Sequence, residues 1–321
     1  MKKSTQKLLI FSGITFAGTV ITGIVSHLTA KILVSTALDR EMPKSMKNRS
    51  ISKTEKNEEL IAAIREKSEK LKNSDCKTVE IMSHDGEKLI GHWHHNDNDE
   101  RIIIAMHGWR SSWSKDFGAI SDFWHNNKCS VLYAEQRGQN DSGGDYMGFG
   151  MIERFDCLDW INWVNEYNKE NLPIYLAGIS MGASTVLMTS GFDLPENVHG
   201  IMADCGFTSA NDIWKHVVEN NMHLSYNMRR KIVNDLCKKK IQVTSDEYTT
   251  LDALATNTVP VLFVHGTDDR FVPIEMTYEN YKSCNAPKRI FIVPGAAHAM
   301  SYMVDKDGYE ENVKKFWHDY D

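Results

Sequence analysis

Residues 173–191 limit the possible folds of this chain more than any other stretch. A short apolar, β-prone run at 174–177 leads into Gly178-Ile179-Ser180-Met181-Gly182, and a helix-compatible run continues to Gly191. This is strand, sharp turn and helix, with a serine at the apex. A serine on such a strained turn projects its hydroxyl above the edge of a sheet. Glycines two residues to either side let the strand and helix backbones pass closely, because they carry no β-carbon. The helix amino end turns free N–H groups and the positive end of its dipole toward the hydroxyl. The five-residue pattern alone also occurs in ordinary loops, so its meaning depends on its surroundings.

Those surroundings alternate between strand and helix. Residues 78–83 and 88–93 flank the turn His84-Asp85-Gly86-Glu87 and read as a β-hairpin. Residues 101–106 form a continuous apolar run after Arg101, as in a buried parallel strand, and lead into His107-Gly108-Trp109-Arg110. Helices are expected at 115–127, 152–168, 274–284 and 308–320, and strands at 130–134, 198–203, 259–264 and 289–293. Residues 207–255 break the series with helix-like segments and no strand. They read as a helical cap inserted over the carboxyl ends of the strands. The whole predicts an α/β fold, a mostly parallel, doubly wound sheet, over residues 76–321.

The amino end is of another kind. Lys2, Lys3 and Lys7 precede residues 8–28, which hold no formally charged side chain. Roughly 20 apolar residues span a bilayer core, so residues 1–38 are expected to form a single-pass anchor in the cell membrane. A cleaved signal peptide, cut at Ser35-Thr36-Ala37, is the competing reading and would make the protein secreted. Lysines and arginines lie on both sides of the span, and the catalytic domain is expected on the extracytoplasmic side. Residues 39–75 read as a charged juxtamembrane helix or linker, with Leu60, Ile61, Ile64 and Leu71 near one helical face.

Some function classes fall away. The net charge is −6 and basic residues are scattered after position 75, so no nucleic-acid partner is expected. The six cysteines are widely spaced without a C-x-x-C pair and read as free, buried thiols. His92 and His94 share a strand face, but no cysteine or carboxylate set of metal-binding spacing accompanies them, so no metal is expected.

The loops that leave the carboxyl ends of the strands carry the chemistry, at the edge where open α/β sheets place their sites. Ser180, an acidic residue in the loop after Val264, and His298 follow in the order nucleophile, acid, base. A serine hydroxyl needs an imidazole to take its proton, and the resulting cation needs a carboxylate beside it. Asp268 and Asp269 both stand where that acid is required. Such a triad supplies its own nucleophile and base and requires no metal or organic cofactor.

From residue 78 to the carboxyl terminus the chain resembles the α/β-hydrolase superfamily. Within it, the chain looks like the bacterial branch of serine aminopeptidase-like or BAAT-like hydrolases, often with an amino-terminal membrane anchor. The matching residues are His107-Gly108-Trp109, Glu135-Gln136-Arg137-Gly138 with Ser142-Gly143-Gly144, the Ser180 pentapeptide, His265-Gly266-x-x-Asp269-x-x-Val272-Pro273, and Gly295-Ala296-Ala297-His298. The resemblance implies that Asp269 is the acid, with Asp268 as fallback, and that the backbone N–H groups of Trp109 and Met181 form an oxyanion hole. It assigns His265 to its own loop. Glu135 departs from the more usual Asp at a structural position. The implied reaction is cleavage of a small carboxylic ester through an acyl-enzyme. An aminopeptidase-like amidase and an acyl-thioesterase are the enzyme alternatives, and a catalytically silent membrane-associated binding protein is the alternative of another class. Trp214, Met222 and Tyr226 of the cap are expected to line the acyl pocket.

Overall fold

The computed structural model describes residues 23–44, 58–221 and 223–321. The chain opens with helices α1 (23–38) and α2 (Glu58–Lys72) and the strands β1 (Lys77–Met82) and β2 (Lys88–His94). β3 (Arg101–Met106), α3 (Trp113–Asn126), β4 (Cys129–Ala134), α4 (Glu153–Tyr167), β5 (Ile174–Ile179) and α5 (Met181–Thr189) follow. After β6 (Val198–Asp204) come α6 (Ala210–His216), a π-helical turn (Val217–Asn221), α7 (Arg230–Ile241) and α8 (Thr250–Thr256), with no strand described among them. The remaining elements are β7 (Val261–Gly266), α9 (Ile274–Ser283), β8 (Lys288–Val293), α10 (Ser301–Val304) and α11 (Lys306–Tyr320).

The eight strands form one sheet in the order β1-β2-β4-β3-β5-β6-β7-β8. β1 with β2 and β2 with β4 run antiparallel, and every later pairing is parallel. β3, β4 and β7 are buried at every residue, because helices cover both faces of the sheet. Neighbouring residues on a strand point to opposite faces. Ile104 and Leu176 therefore pack with Trp160 of α4 and Leu187 of α5, while Ile103 and Tyr175 pack with Phe117 of α3 and Phe316 of α11.

Among the described residues no helix is long and apolar enough to cross a membrane. This overturns the expected cell-membrane location and leaves the expected anchor and the membrane as a partner without support. Residues 8–22 of the expected span lie outside the described residues. Its remainder belongs to α1, which is built into the domain. Ala30, Val34, Ala37 and Leu38 are buried in one apolar cluster with Trp214, Val218 and Tyr226. The run 35–37 lies inside this helix, with Thr36 and Ala37 buried. The Thr36 carbonyl accepts a hydrogen bond from Arg110 Nη2, and that of Ala37 accepts one from Trp109 Nε1, each at 2.9 Å. The described part of the expected span, residues 23–28, is mostly exposed, with Ile24, Val25 and Leu28 at the surface, and the docking is made by the turns of α1 that follow it.

Candidate active site

Ser180 closes β5 and caps the amino end of α5. Its backbone is held at φ 56° and ψ −117°, a region that residues with a side chain rarely occupy. The bend is fixed from both sides. The Ser180 N–H donates to the Asp204 carbonyl at 2.9 Å, and the Ser180 carbonyl accepts from the Ser184 N–H at 3.0 Å. A β-carbon on Gly178 would stand 2.3 Å from the Gly182 carbonyl oxygen, so the strand and helix meet only because position 178 has none.

His298 follows β8, and its Nε2 lies 2.9 Å from Ser180 Oγ. Its Nδ1 lies 2.7 Å from Asp269 Oδ2. A carboxylate only accepts, so the neutral ring carries its proton on Nδ1 and leaves Nε2 to accept from the serine hydroxyl. Asp269 follows β7 and its side chain has no solvent exposure. Its Oδ1 accepts the N–H groups of Phe271 and Val272, both at 2.9 Å. Burial raises this carboxyl, but hydrogen bonds from His265 and His298 outweigh it and hold the group well below the usual carboxylate range. Asp269 is thus an anion aimed at His298. Asp268 is exposed and takes only the hydroxyl of Thr267, at 3.0 Å.

His265 was assigned to its own loop, and the structure brings it to the acid as well. Its Nε2 lies 3.2 Å from Asp269 Oδ2 and 3.0 Å from the Val272 carbonyl. Both partners are acceptors, so Nε2 carries the proton, and Nδ1 accepts from Thr277 Oγ1 at 2.7 Å. The only trace of this role in the sequence is the four-residue spacing from His265 to Asp269.

Two further residues at the end of β6 adjoin the serine. Burial pushes the Asp204 carboxyl up to about 6, opposed by His265 and by the Ser301 hydroxyl, which donates to Oδ1 at 3.0 Å. Burial, with Asp204 and Asp269 nearby, pushes the Cys205 thiol well up, so it stands there protonated. Cys205, Asp269 and His298 have potential metal-ligand atoms within 4.8 Å of one another, but the Asp269 oxygens are already taken by four donors. In the other such group, His84, Asp85 and Asp156, Arg137 already supplies the positive charge. His92 and His94 do not converge: His92 Nε2 pairs with Glu135 Oε1 at 2.9 Å, and His94 stacks on His125.

The loop after β3 faces the serine from the other side. Gly108 donates its N–H to Asp116 Oδ2 at 2.7 Å, and Arg110 donates its own to Gln139 Oε1 at 2.5 Å. Between them, the Trp109 N–H makes no hydrogen bond within the described residues. Met181 opens α5, so its N–H is one of the helix's unpaired amino-terminal donors. A cavity of about 850 Å³ opens above Ser180 and His298. Trp214 and Tyr226 are not on its walls. They are buried under the cap against α1, and Met222 lies outside the described residues. Part of the wall comes instead from α2 and α3, through residues such as Ile61, Ile64 and Ile120.

Strand order, serine turn and convergent loops together define an α/β-hydrolase fold, and comparison with solved structures shows the same. The chain is similar to the esterase Pf2001 of Pyrococcus furiosus, with TM-score 0.63 and 21% identity, covering 77% of this chain and 91% of that one. It is also similar to a dienelactone hydrolase from Anabaena variabilis, with TM-score 0.54 and 16% identity, covering 77% and 98%. No family model matches the sequence. In sequence it is similar to the uncharacterized protein YqkD of Bacillus subtilis, 26% identical over 187 residues, which are 58% of this chain and 61% of that protein's length.

Proposed function

We propose that this protein is a serine hydrolase that cleaves carboxylic esters of small molecules through an acyl-enzyme on Ser180. The observation that carries this reading is the unbroken path from Ser180 Oγ to His298 Nε2 at 2.9 Å and from His298 Nδ1 to Asp269 at 2.7 Å. His298 takes the hydroxyl proton as the serine oxygen attacks the ester carbonyl, and Asp269 stabilises the imidazolium. The alkoxy leaving group departs with the proton that His298 returns. Water then attacks the acyl-enzyme with His298 again as base. The negative oxygen of each tetrahedral intermediate is held by the N–H groups of Trp109 and Met181. Losing one such donor costs about 3 kcal/mol of transition-state stabilisation. The cavity volume of about 850 Å³ suits a small-molecule substrate. An esterase and a dienelactone hydrolase among proteins of similar fold are consistent with ester chemistry.

The test is turnover of p-nitrophenyl esters beside aminoacyl p-nitroanilides, with the whole chain and with Ser180→Ala. Ester turnover that the substitution abolishes is the expected result. Turnover of the anilides alone would replace the esterase by an amidase.

A further inference from the structure

Part of the cavity wall comes from the segment before the sheet. α2 carries acids in its first turn and lysines in its last, which favours the helix through its dipole. It docks on α3 at a specific place. A β-carbon on Gly118 would stand 2.7 Å from the Lys67 carbonyl, so the α2 backbone rests directly on this glycine. Leu71 is buried beneath the contact, Ser68 and Ser114 hydroxyls meet at 3.2 Å, and Lys70 Nζ lies 2.7 Å from both oxygens of Asp122. This docking turns Ile61 and Ile64 toward the same cavity as Ser180.

The charges on that cavity are unequal. Arg65 and Lys72 of α2 and Lys115 of α3 line it, all three are exposed, and none forms an ion pair among the described residues. The other lining guanidinium, Arg110, is spent on the carbonyls of Thr36, Asp39 and Arg40. Of the lining carboxylates, Asp116 is held by the Gly108 N–H and the Ser111 hydroxyl, and Asp204 by Ser301. Among the described residues, Glu69 alone is left to oppose three uncommitted cations. The cavity thus combines a reactive serine, an apolar wall and a cationic rim.

The geometry points to an amphiphilic, anionic substrate: Arg65, Lys72 and Lys115 bind a carboxylate or phosphate carried away from the ester, while Ile61 and Ile64 contact its apolar part. This assignment rests on the ester-hydrolase reading and adds the substrate class to it. α2 then sets specificity, and the helices of the cap do not.

The experiment compares matched esters on the whole chain at low and high salt. Mono-p-nitrophenyl glutarate, set against p-nitrophenyl butyrate, carries the anion on the acyl side. 4-Acetoxybenzoate and 4-acetoxyphenyl phosphate, set against phenyl acetate, carry it on the leaving group. At least one anionic ester is expected to exceed its neutral counterpart in kcat/KM by about fivefold at low salt, through KM, since exposed pairs contribute up to about 1 kcal/mol each. That ratio should fall toward one in high salt and in the combined variant Arg65→Gln, Lys72→Gln, Lys115→Gln. Which probe responds separates carboxylate from phosphate. Anionic esters handled no better than neutral ones, or a preference that survives the triple substitution, would overturn the assignment. Labelling of Ser180 by a fluorophosphonate reads the hydrolase reading separately. A labelled enzyme without anion preference refutes only the cationic rim, and an unlabelled folded protein refutes the hydrolase.

Discussion

Gly182 faces the carbonyl of Met106 so closely that a β-carbon at position 182 would stand 1.8 Å from that oxygen. The end of β3 and the start of α5 are therefore in backbone contact, and the two expected oxyanion donors, Trp109 in the loop after β3 and Met181 at the start of α5, are placed by this contact. Gly182→Ala has to push the elements apart. We predict a loss of about 2 kcal/mol in stability and at least a tenfold loss of esterase activity in the protein that still folds. Denaturant unfolding and ester kinetics check both, and an alanine variant with wild-type rates would show that the spacing is not needed.

Asp269 and Asp268 separate cleanly. Asp269→Asn keeps the shape of the side chain but removes the anion that holds the His298 tautomer, so kcat should fall by about 10³-fold or more. Asp268→Asn should leave kcat within about twofold. Steady-state kinetics on the two variants suffices, and a large loss confined to Asp268→Asn would reverse the assignment.

Asp204 makes stability depend on pH in an uncommon direction. Its carboxyl is pushed up to about 6 by burial, so between its ordinary value and about 6 the folded chain holds a proton that the unfolded chain has released. Stability therefore falls as pH rises through this window and levels off above it. Asp204→Asn cannot ionise, and its stability relative to the natural protein should grow by about 1–3 kcal/mol from about pH 4 to pH 7. Urea midpoints across that range measure the difference, and a constant difference would mean that the carboxyl titrates normally.

α1 is part of the folded domain. Val34 is fully buried against the cap, so Val34→Asp should cost about 3 kcal/mol or more through an unpaired buried charge. Thermal unfolding of the whole chain provides the check. An unchanged midpoint would detach α1 from the domain.

Most of the sheet is legible in the sequence because its central strands are apolar without interruption, as at Ile102–Ile103–Ile104, and glycine-bearing turns mark their ends. Ser180 is legible for the same reason, and His298 because the apolar run Ile290–Val293 of the edge strand β8 ends in the glycine-bearing turn before it. α1 misleads because Ile24, Val25 and Leu28 at its start are apolar yet exposed, and its apolar burial begins only with Ala30. Here Ala30, Val34 and Leu38 face Trp214 and Tyr226, and the same contact removes those aromatic residues from the substrate cavity. The role of α2 is hidden because it depends on Gly118, which in sequence is only a weak residue inside a helix. The approach of His265 to Asp269 depends on the path of the loop between them, which no periodicity describes.

The proposed function stands on Ser180 being an activated nucleophile. Incubating the folded protein with a fluorophosphonate and locating the adduct by peptide mass spectrometry tests this most directly. One adduct is expected, on Ser180, that is lost in Ser180→Ala and forms far more slowly in Asp269→Asn. A folded protein that stays unlabelled, or is labelled at another residue, would contradict it.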